Sequence, residues 1–391
     1  MREEELKTPN NKIIAAVLLI VISSIFGVYF YIDSKAKYVP KLNDGKRWRI
    51  GYYEGGNYKD YQIYLIALVK GLETLKWLPE LDFPKFKEND NTKAVWDFLV
   101  EVNSEYIEFV KEAYWTSDWY EDKRSNNKLK AIVYLQQRKL DLIIAGGTWG
   151  GLDLANYSHS VPTLVISTSD PIEAGIIKSA EDSGFSHVHA VCDPGRYERQ
   201  IRAFHNIVDF KKLGVVYEET EEGRIYAALS SVLKISLEKQ FDVVSCIAMD
   251  QNIPEVEAME GVLKCHEELA TKSDAVYITA HRGVNPKWMP GVLEPLFKSK
   301  TPTFAQEGPD QVKRGVMLSI ARVEVEDMGL FQAGVVAQSF HGKNLGDIEQ
   351  VYEEEKRIVV NNETARRIEY PISEAVIKVA DTVYESIEHE K

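Results

Sequence analysis

Hydrophobic and polar positions along this chain alternate between two periods. Arg49-Ile50-Gly51-Tyr52-Tyr53 reads as a short strand, and after it Tyr61, Leu65, Leu68, Val69, Leu72 and Leu75 recur at helical spacing. Residues 106–114 predict a second strand and 126–138 a helix. The run LDLIIAGG at 140–147 is apolar throughout, as a strand covered on both faces must be. TLVIS at 163–167 is another such run. From 196 the alternation resumes, with helices over 196–209, 224–239, 255–271 and 286–298, and strands over 212–218, 241–249, 274–280 and 301–306. Continuous apolar strands separated by helices predict an α/β chain with parallel sheets covered by helices. Two series of roughly four or five strands each predict two lobes rather than one wide sheet.

One segment breaks this pattern. Residues 13–32, IIAAVLLIVISSIFGVYFYI, carry no charge, and as a helix they would span roughly 30 Å, the thickness of a bilayer core. A cleaved signal peptide is the competing reading, since Ser34-Lys35-Ala36 loosely resembles a cleavage site. The apolar run is longer than the usual signal core of about 7–15 residues, and there is no nearby cysteine for a lipid anchor. Lysines and arginines flank the segment on both sides, so they give no orientation. The expectation is an N-terminal tail over 1–12, an uncleaved transmembrane anchor over 13–32, a linker over 33–46, and an exported globular part.

Composition narrows the function classes. The 391 residues are 45% hydrophobic and 27% charged, with 60 acidic against 47 basic side chains and a net charge of -13. That balance argues against nucleic acid as a partner. Three cysteines cannot all pair within one chain, and Cys246, inside the apolar run VVSCIAM, reads as a buried thiol. Ser231-Val232-Leu233-Lys234 matches an acyl-enzyme pattern without its companion motifs. Gly146 to Gly151 lacks the spacing of a dinucleotide loop, and no Walker lysine follows. His266-Glu267-Glu268 reads as polar helix surface with no second histidine at the metal-binding spacing. No nucleophile, base and orienting group can be assembled, so no catalytic residue, metal or cofactor is expected.

The stretch VISTSDPIEAGIIKS (165–179) ends a buried strand in hydroxyls, an acid and a proline. Asp170 as N-cap with Pro171 at the first helical position is a helix start. The same loop lies where α/β proteins hold ligands, at the carboxyl end of a parallel strand.

Several strings, taken together, resemble the extracytoplasmic substrate-binding proteins of ABC importers, in particular the tryptophan and tyrosine group. They are LDLIIAGGTWGGLDLA (140–155), VPTLVISTSDPIEAGIIKS (161–179), KLGVVYE (212–218), EGPDQVKRGVMLSIARVEVEDMGLFQAG (307–334) and VVNNETARRIEYPISEAVIKVADTV (359–383). The resemblance covers roughly 47–388. It implies a type I periplasmic binding protein, a Venus flytrap of two doubly wound Rossmann-like lobes joined by a three-strand hinge. Lobe one would comprise 47–190 and about 309–345, and lobe two 191–308 and about 346–391.

On this resemblance the ligand lies in the interlobe cleft, and strand-end loops supply its contacts. The candidates in the first lobe are Glu54, Tyr58, Thr148, Trp149, Ser169 and Asp170. Those in the second are Glu219, Thr220, His281, Arg282 and Glu307. For an amino acid, Thr148, Ser169 and Thr220 would face the carboxylate, Asp170 or Glu307 the ammonium, and Trp149 or Tyr58 the side chain. The chain departs from the family at Glu218 to Arg224 and at Ala280-His281-Arg282-Gly283, where the family usually carries Asn and Ser, and Thr-Asp-Asn. The implied role is non-catalytic delivery of an amino acid or other amine-bearing metabolite to an ABC permease and its ATPase. A flytrap that signals to a separate receptor is the alternative, and a hydrolase the weakest reading.

Overall fold

A computed structural model of the chain describes residues 38–86, 91–321, 325–352 and 357–388. The proposed membrane span 13–32 and the three consecutive acids Glu353, Glu354 and Glu355 lie outside the described residues. Among the described residues no helix is long and apolar enough to cross a membrane.

β1 (Trp48–Glu54) is second from one edge of a five-stranded parallel sheet, and its last five residues are buried. β2 (Ile107–Thr116) pairs on one side of it. On the other lie β3 (Leu142–Gly146), β4 (Thr163–Ile166) and β5 (Val188–Ala190), giving the order β2-β1-β3-β4-β5. All-apolar strands such as β3 and β4 fit here because helices cover both faces.

The second sheet has seven strands. β6 (Lys212–Tyr217) pairs with β7 (Asp242–Ile247) and β8 (Ala275–Ile278), and β9 (Thr303–Ala305) follows. β10 (Leu318–Ala321), β11 (Arg357–Asn361) and β12 (Thr382–Tyr384) complete the order β12-β11-β10-β9-β8-β6-β7. The pairing of β10 with β11 is antiparallel. Each sheet with its helices is called a lobe below. The first strand of each lies between its second and third, as in a doubly wound fold of the flavodoxin-like order.

The expected boundary needs correction near 309–321. The helix Pro309–Lys313 and β10 belong to the second lobe, because β10 pairs with β9 and β11. The chain returns to the first lobe with the helix Val325–Phe340. That helix crosses Lys59–Thr74 closely at two glycines: a Cβ on Gly71 or Gly329 would meet the opposing helix backbone. Leu65, Leu68, Leu72, Val335, Val336 and Phe340 share one buried cluster, each full burial contributing about 1.5–3 kcal/mol. The chain passes between lobes after β5, after β10, and again before β11. Cys192 on the first crossing and Val351 on the third form a parallel bridge, with Cys192 N–H donating to Gln350 O over 2.9 Å.

Local signals failed in four places. The helix expected over 224–239 is two helices, Glu221–Tyr226 and Leu229–Lys239, broken where Ala228 turns left-handed at φ 51°. Thr220 caps the first, its Oγ1 accepting from Gly223 N–H at 3.0 Å. After Asp170 the chain makes turns rather than a regular helix. The cap itself is present: Asp170 Oδ1 accepts from Ile172 and Glu173 N–H at 3.0 and 2.9 Å. Cys246 is not a free thiol but is joined to Cys265, tying β7 to the helix Glu255–Lys272, while Cys192 is the free, buried one. His266 is buried in that helix rather than on its surface, with its Nδ1 2.8 Å from Val262 O.

Candidate functional site

In both lobes the strand order reverses beside the first strand, so the loops after it and after the third strand splay apart and leave a crevice. These crevices face each other. Between them lies a cavity of about 390 Å³ of empty space, partly open to solvent. The first lobe lines it with Tyr58, Tyr61, Trp119, Thr148, Ser167 and Ser169, the second with Tyr226, Asp250, Ala280, His281 and Arg282. Two larger spaces of about 900 and 880 Å³, also including open solvent, adjoin it and share Tyr58 with it.

One wall is aromatic. Tyr61, Trp119 and Trp149 form a buried cluster with Tyr58 packed against it, the Trp119 and Trp149 rings meeting edge-on at 5.4 Å. Gly147, at φ 72°, lets the chain pass beneath Tyr61, because a Cβ there would collide with the Tyr61 hydroxyl.

The opposite wall carries charge. Asp250 Oδ1 accepts from the Arg282 N–H at 3.0 Å and from its Nε at 3.2 Å. Its loop is fixed from below by Glu218, whose Oε1 accepts from the Asp250 and Gln251 N–H groups, both at 3.1 Å. Asp250 is 5% exposed and lines the cavity, and its Oδ2 makes no hydrogen bond among the described residues. Hydroxyls gather at the end of β4: Ser167 is left-handed at φ 52°, and Thr148 Oγ1 lies 3.2 Å from Thr168 Oγ1.

Of the residues expected at a ligand, Tyr58, Thr148, Ser169, His281 and Arg282 line this cavity. Asp170 and Glu307 line the adjoining space toward the crossings, with Ser169 and Tyr58. Glu307 is already engaged, accepting from Tyr58 Oη and from Gln311 Nε2 (2.6 Å) and pairing with Lys59 Nζ at 3.2 Å. His281 is held by its own loop: Nδ1 accepts from Gly283 N–H at 3.0 Å, and Nε2 lies 3.4 Å from Ala248 O.

Four expected contacts lie elsewhere. Glu54 is buried behind the wall, where its carboxylate accepts from Thr92 Oγ1 at 2.6 Å and Tyr114 Oη at 3.1 Å. Burial pushes its carboxyl up to about 7 against the opposing pull of those hydroxyls. Trp149 is fully buried, with Trp119 before it and the Arg124 guanidinium 4.3 Å from its ring centroid. Glu219 is exposed and paired with Arg224, and Thr220 is spent on capping. None of the four lines this cavity or its neighbours.

Sequence reasoning missed Asp250, Trp119, Tyr61, Tyr226 and Ser167. Asp250 was legible in principle, since it stands three residues past β7, the strand end left out of the survey. Trp119 falls in an aromatic-dense stretch from Trp96 to Tyr120, a pattern that reads as core. Among the described residues no group of three or more His, Cys, Asp or Glu side chains could hold a metal ion.

The family model for ABC transporter substrate binding proteins matches residues 96–384. A Tyrosine-binding protein of Clostridioides difficile is 25% identical over 233 residues, 59% of this chain. The match spans only 64% of that relative's own length. A conserved domain protein of Vibrio cholerae shares the fold at TM-score 0.65 and 20% identity, over 86% of this chain and all of that one. A Streptococcus pneumoniae ABC domain in complex with L-Trp does so at TM-score 0.65 and 16% identity, with the same coverage. An ABC transporter solute binding protein of Bacillus halodurans with bound myo-inositol follows at TM-score 0.52 and 12% identity, over 84% of this chain and 99% of that one. With its model matched over most of its length, the chain belongs to the ABC transporter substrate binding protein family, whose members bind solutes and are not enzymes.

Proposed function

We propose that this chain is the extracytoplasmic solute-binding component of an ABC importer and binds an amino acid or other amine-bearing metabolite between its lobes. One observation carries the ligand class: Asp250, buried at the cavity wall, keeps one carboxylate oxygen without a partner. Asp250 is already ion-paired through Oδ1 with the Arg282 guanidinium at 3.2 Å, so its remaining oxygen calls for a hydrogen-bond donor, which an ammonium supplies and a carboxylate does not. Thr148, Ser167 and Ser169 offer hydroxyls to a carboxylate at the other end, and the Tyr58 and Tyr61 part of the aromatic wall suits a flat side chain. The relative named for tyrosine makes an aromatic amino acid the first candidate.

Binding by closure follows from lining residues contributed by both lobes, because a ligand touching both stabilises the closed state. The three crossings are the hinge. On this reading residues 13–32 serve as a membrane anchor that holds the globular part outside, and a permease with its ATPase subunits completes the transporter. The Cys246–Cys265 disulfide suits an oxidising compartment.

A thermal-shift series on the detergent-solubilised full chain tests the ligand class. Amino acids, amines and diacids are compared, since a tight ligand raises the melting temperature by mass action. The expected result is a shift with at least one amine-bearing compound and none with succinate. Diacids shifting the melt while all amines fail would overturn the reading.

A further inference from the structure

Tyr226 ends the helix Glu221–Tyr226, and its carbonyl is held by Gln306 Nε2 at 2.7 Å. Its hydroxyl is buried and has no hydrogen-bond partner among the described residues, and the residue lines the cavity. An unpaired buried hydroxyl destabilises a folded chain, so its place at a cavity wall calls for a ligand atom.

Two other residues that carry acceptor oxygens line the same space: Tyr61 from the first lobe and Asp250, whose Oδ2 is unused, from the second. Burial, reinforced by Tyr61, Glu222 and Asp250, holds the Tyr226 phenol well above its usual range and Arg124 only partly offsets this. It is therefore a neutral phenol, whose lone pair can accept from an ammonium while its own proton remains a donor.

We propose that Tyr226 is a specificity-determining residue which, with Tyr61 and Asp250, seats a primary ammonium by hydrogen bonding. The proposal rests on the reading of the cavity as the ligand site. A primary ammonium has three N–H donors, and the three oxygens can take one each. The competing chemistry is an aromatic cage for a methylated ammonium, since Tyr58, Tyr61, Trp119 and Tyr226 all line the cavity. Two observations oppose it. The Arg282 guanidinium already stands 5.9 Å from the Trp119 ring centroid, and a trimethylammonium would leave all three oxygens unpaired.

Titration calorimetry on the full chain, with L-tyrosine, L-tryptophan and their N,N,N-trimethyl derivatives as probes, tests this. Wild type should bind at least one free amine about tenfold or more tighter than its trimethyl form. Tyr226→Phe should lose about tenfold in affinity for the free amine and narrow that ratio. Its ligand-free melting temperature should be unchanged or higher, because an unpaired hydroxyl is gone. Tyr61→Phe, with the same expected loss, decides the matter if the first variant does not fold. Unaltered free-amine affinity in the variant tested, or a wild type that prefers the trimethyl form, overturns the proposal alone. A wild type that binds none of these probes overturns the amino-acid reading and the proposal together.

Discussion

The backbone N–H of Asn252, in the second lobe, donates across 2.9 Å to the carbonyl of Trp119 in the first. The Asn252 side-chain oxygen accepts in turn from the Glu121 N–H, also at 2.9 Å. Both residues are left-handed, Trp119 at φ 64° and Asn252 at φ 60°. Asparagine visits that region readily and tryptophan does not. The strained loop that aims the Trp119 ring at the cavity is thus tied from the opposite lobe, and the tie exists only while the lobes are together.

Asn252→Ala should therefore weaken ligand binding by about 5–30-fold, through the lost amide bond and the poorer left-handed residue. Asn252→Gly keeps the backbone freedom and should fall between the two. Calorimetry on the three proteins measures this order. Equal affinities would reduce the contact to an incidental one.

Two aspartates near the cavity separate into different roles. Asp250→Asn removes charge without changing shape, and should cost about 1.5–3 kcal/mol of binding to an amine-bearing ligand. Asp170 instead holds two backbone N–H groups of its own loop. Asp170→Ala should cost about 0.5–2 kcal/mol of stability and a smaller share of affinity. Paired denaturation and binding curves would show the reverse ranking if Asp170 were the ammonium partner.

Glu54 makes stability depend on pH. Its carboxyl, raised from 4.5 to about 7 by burial, keeps its proton in the folded chain while the unfolded chain has released it. The folded state then binds more protons, so stability falls as pH rises between 4.5 and about 7, by up to about 1.4 kcal/mol per unit. Above that window the loss is complete. Glu54→Gln should flatten this fall, read as the difference between wild-type and variant denaturation free energies across the window. Parallel curves would assign the pH dependence to other groups.

The helix-strand alternation was legible from Arg49 to Gln306 because strands buried on both faces must be apolar without interruption, as LDLIIAGG and TLVIS are. The strand-end loops after the central strands were legible for the same reason, and from them Tyr58, Thr148, Ser169, His281 and Arg282 line the cavity. The errors were those of direction. Glu54 and Trp149 follow the same strands, yet one turns into the lobe core and the other sits behind Trp119.

Sequence by itself determined the fold class, the two series of strands and the loops from which a site could be built, because periodic burial is written residue by residue. Tertiary structure decided three matters. It placed 309–321 in the second sheet, paired Cys246 with Cys265, and gathered Asp250, Tyr61 and Tyr226 around one cavity from separate stretches of chain. Each depends on contacts between residues distant in sequence, and on which side of a turn a side chain leaves the backbone, and local periodicity records neither.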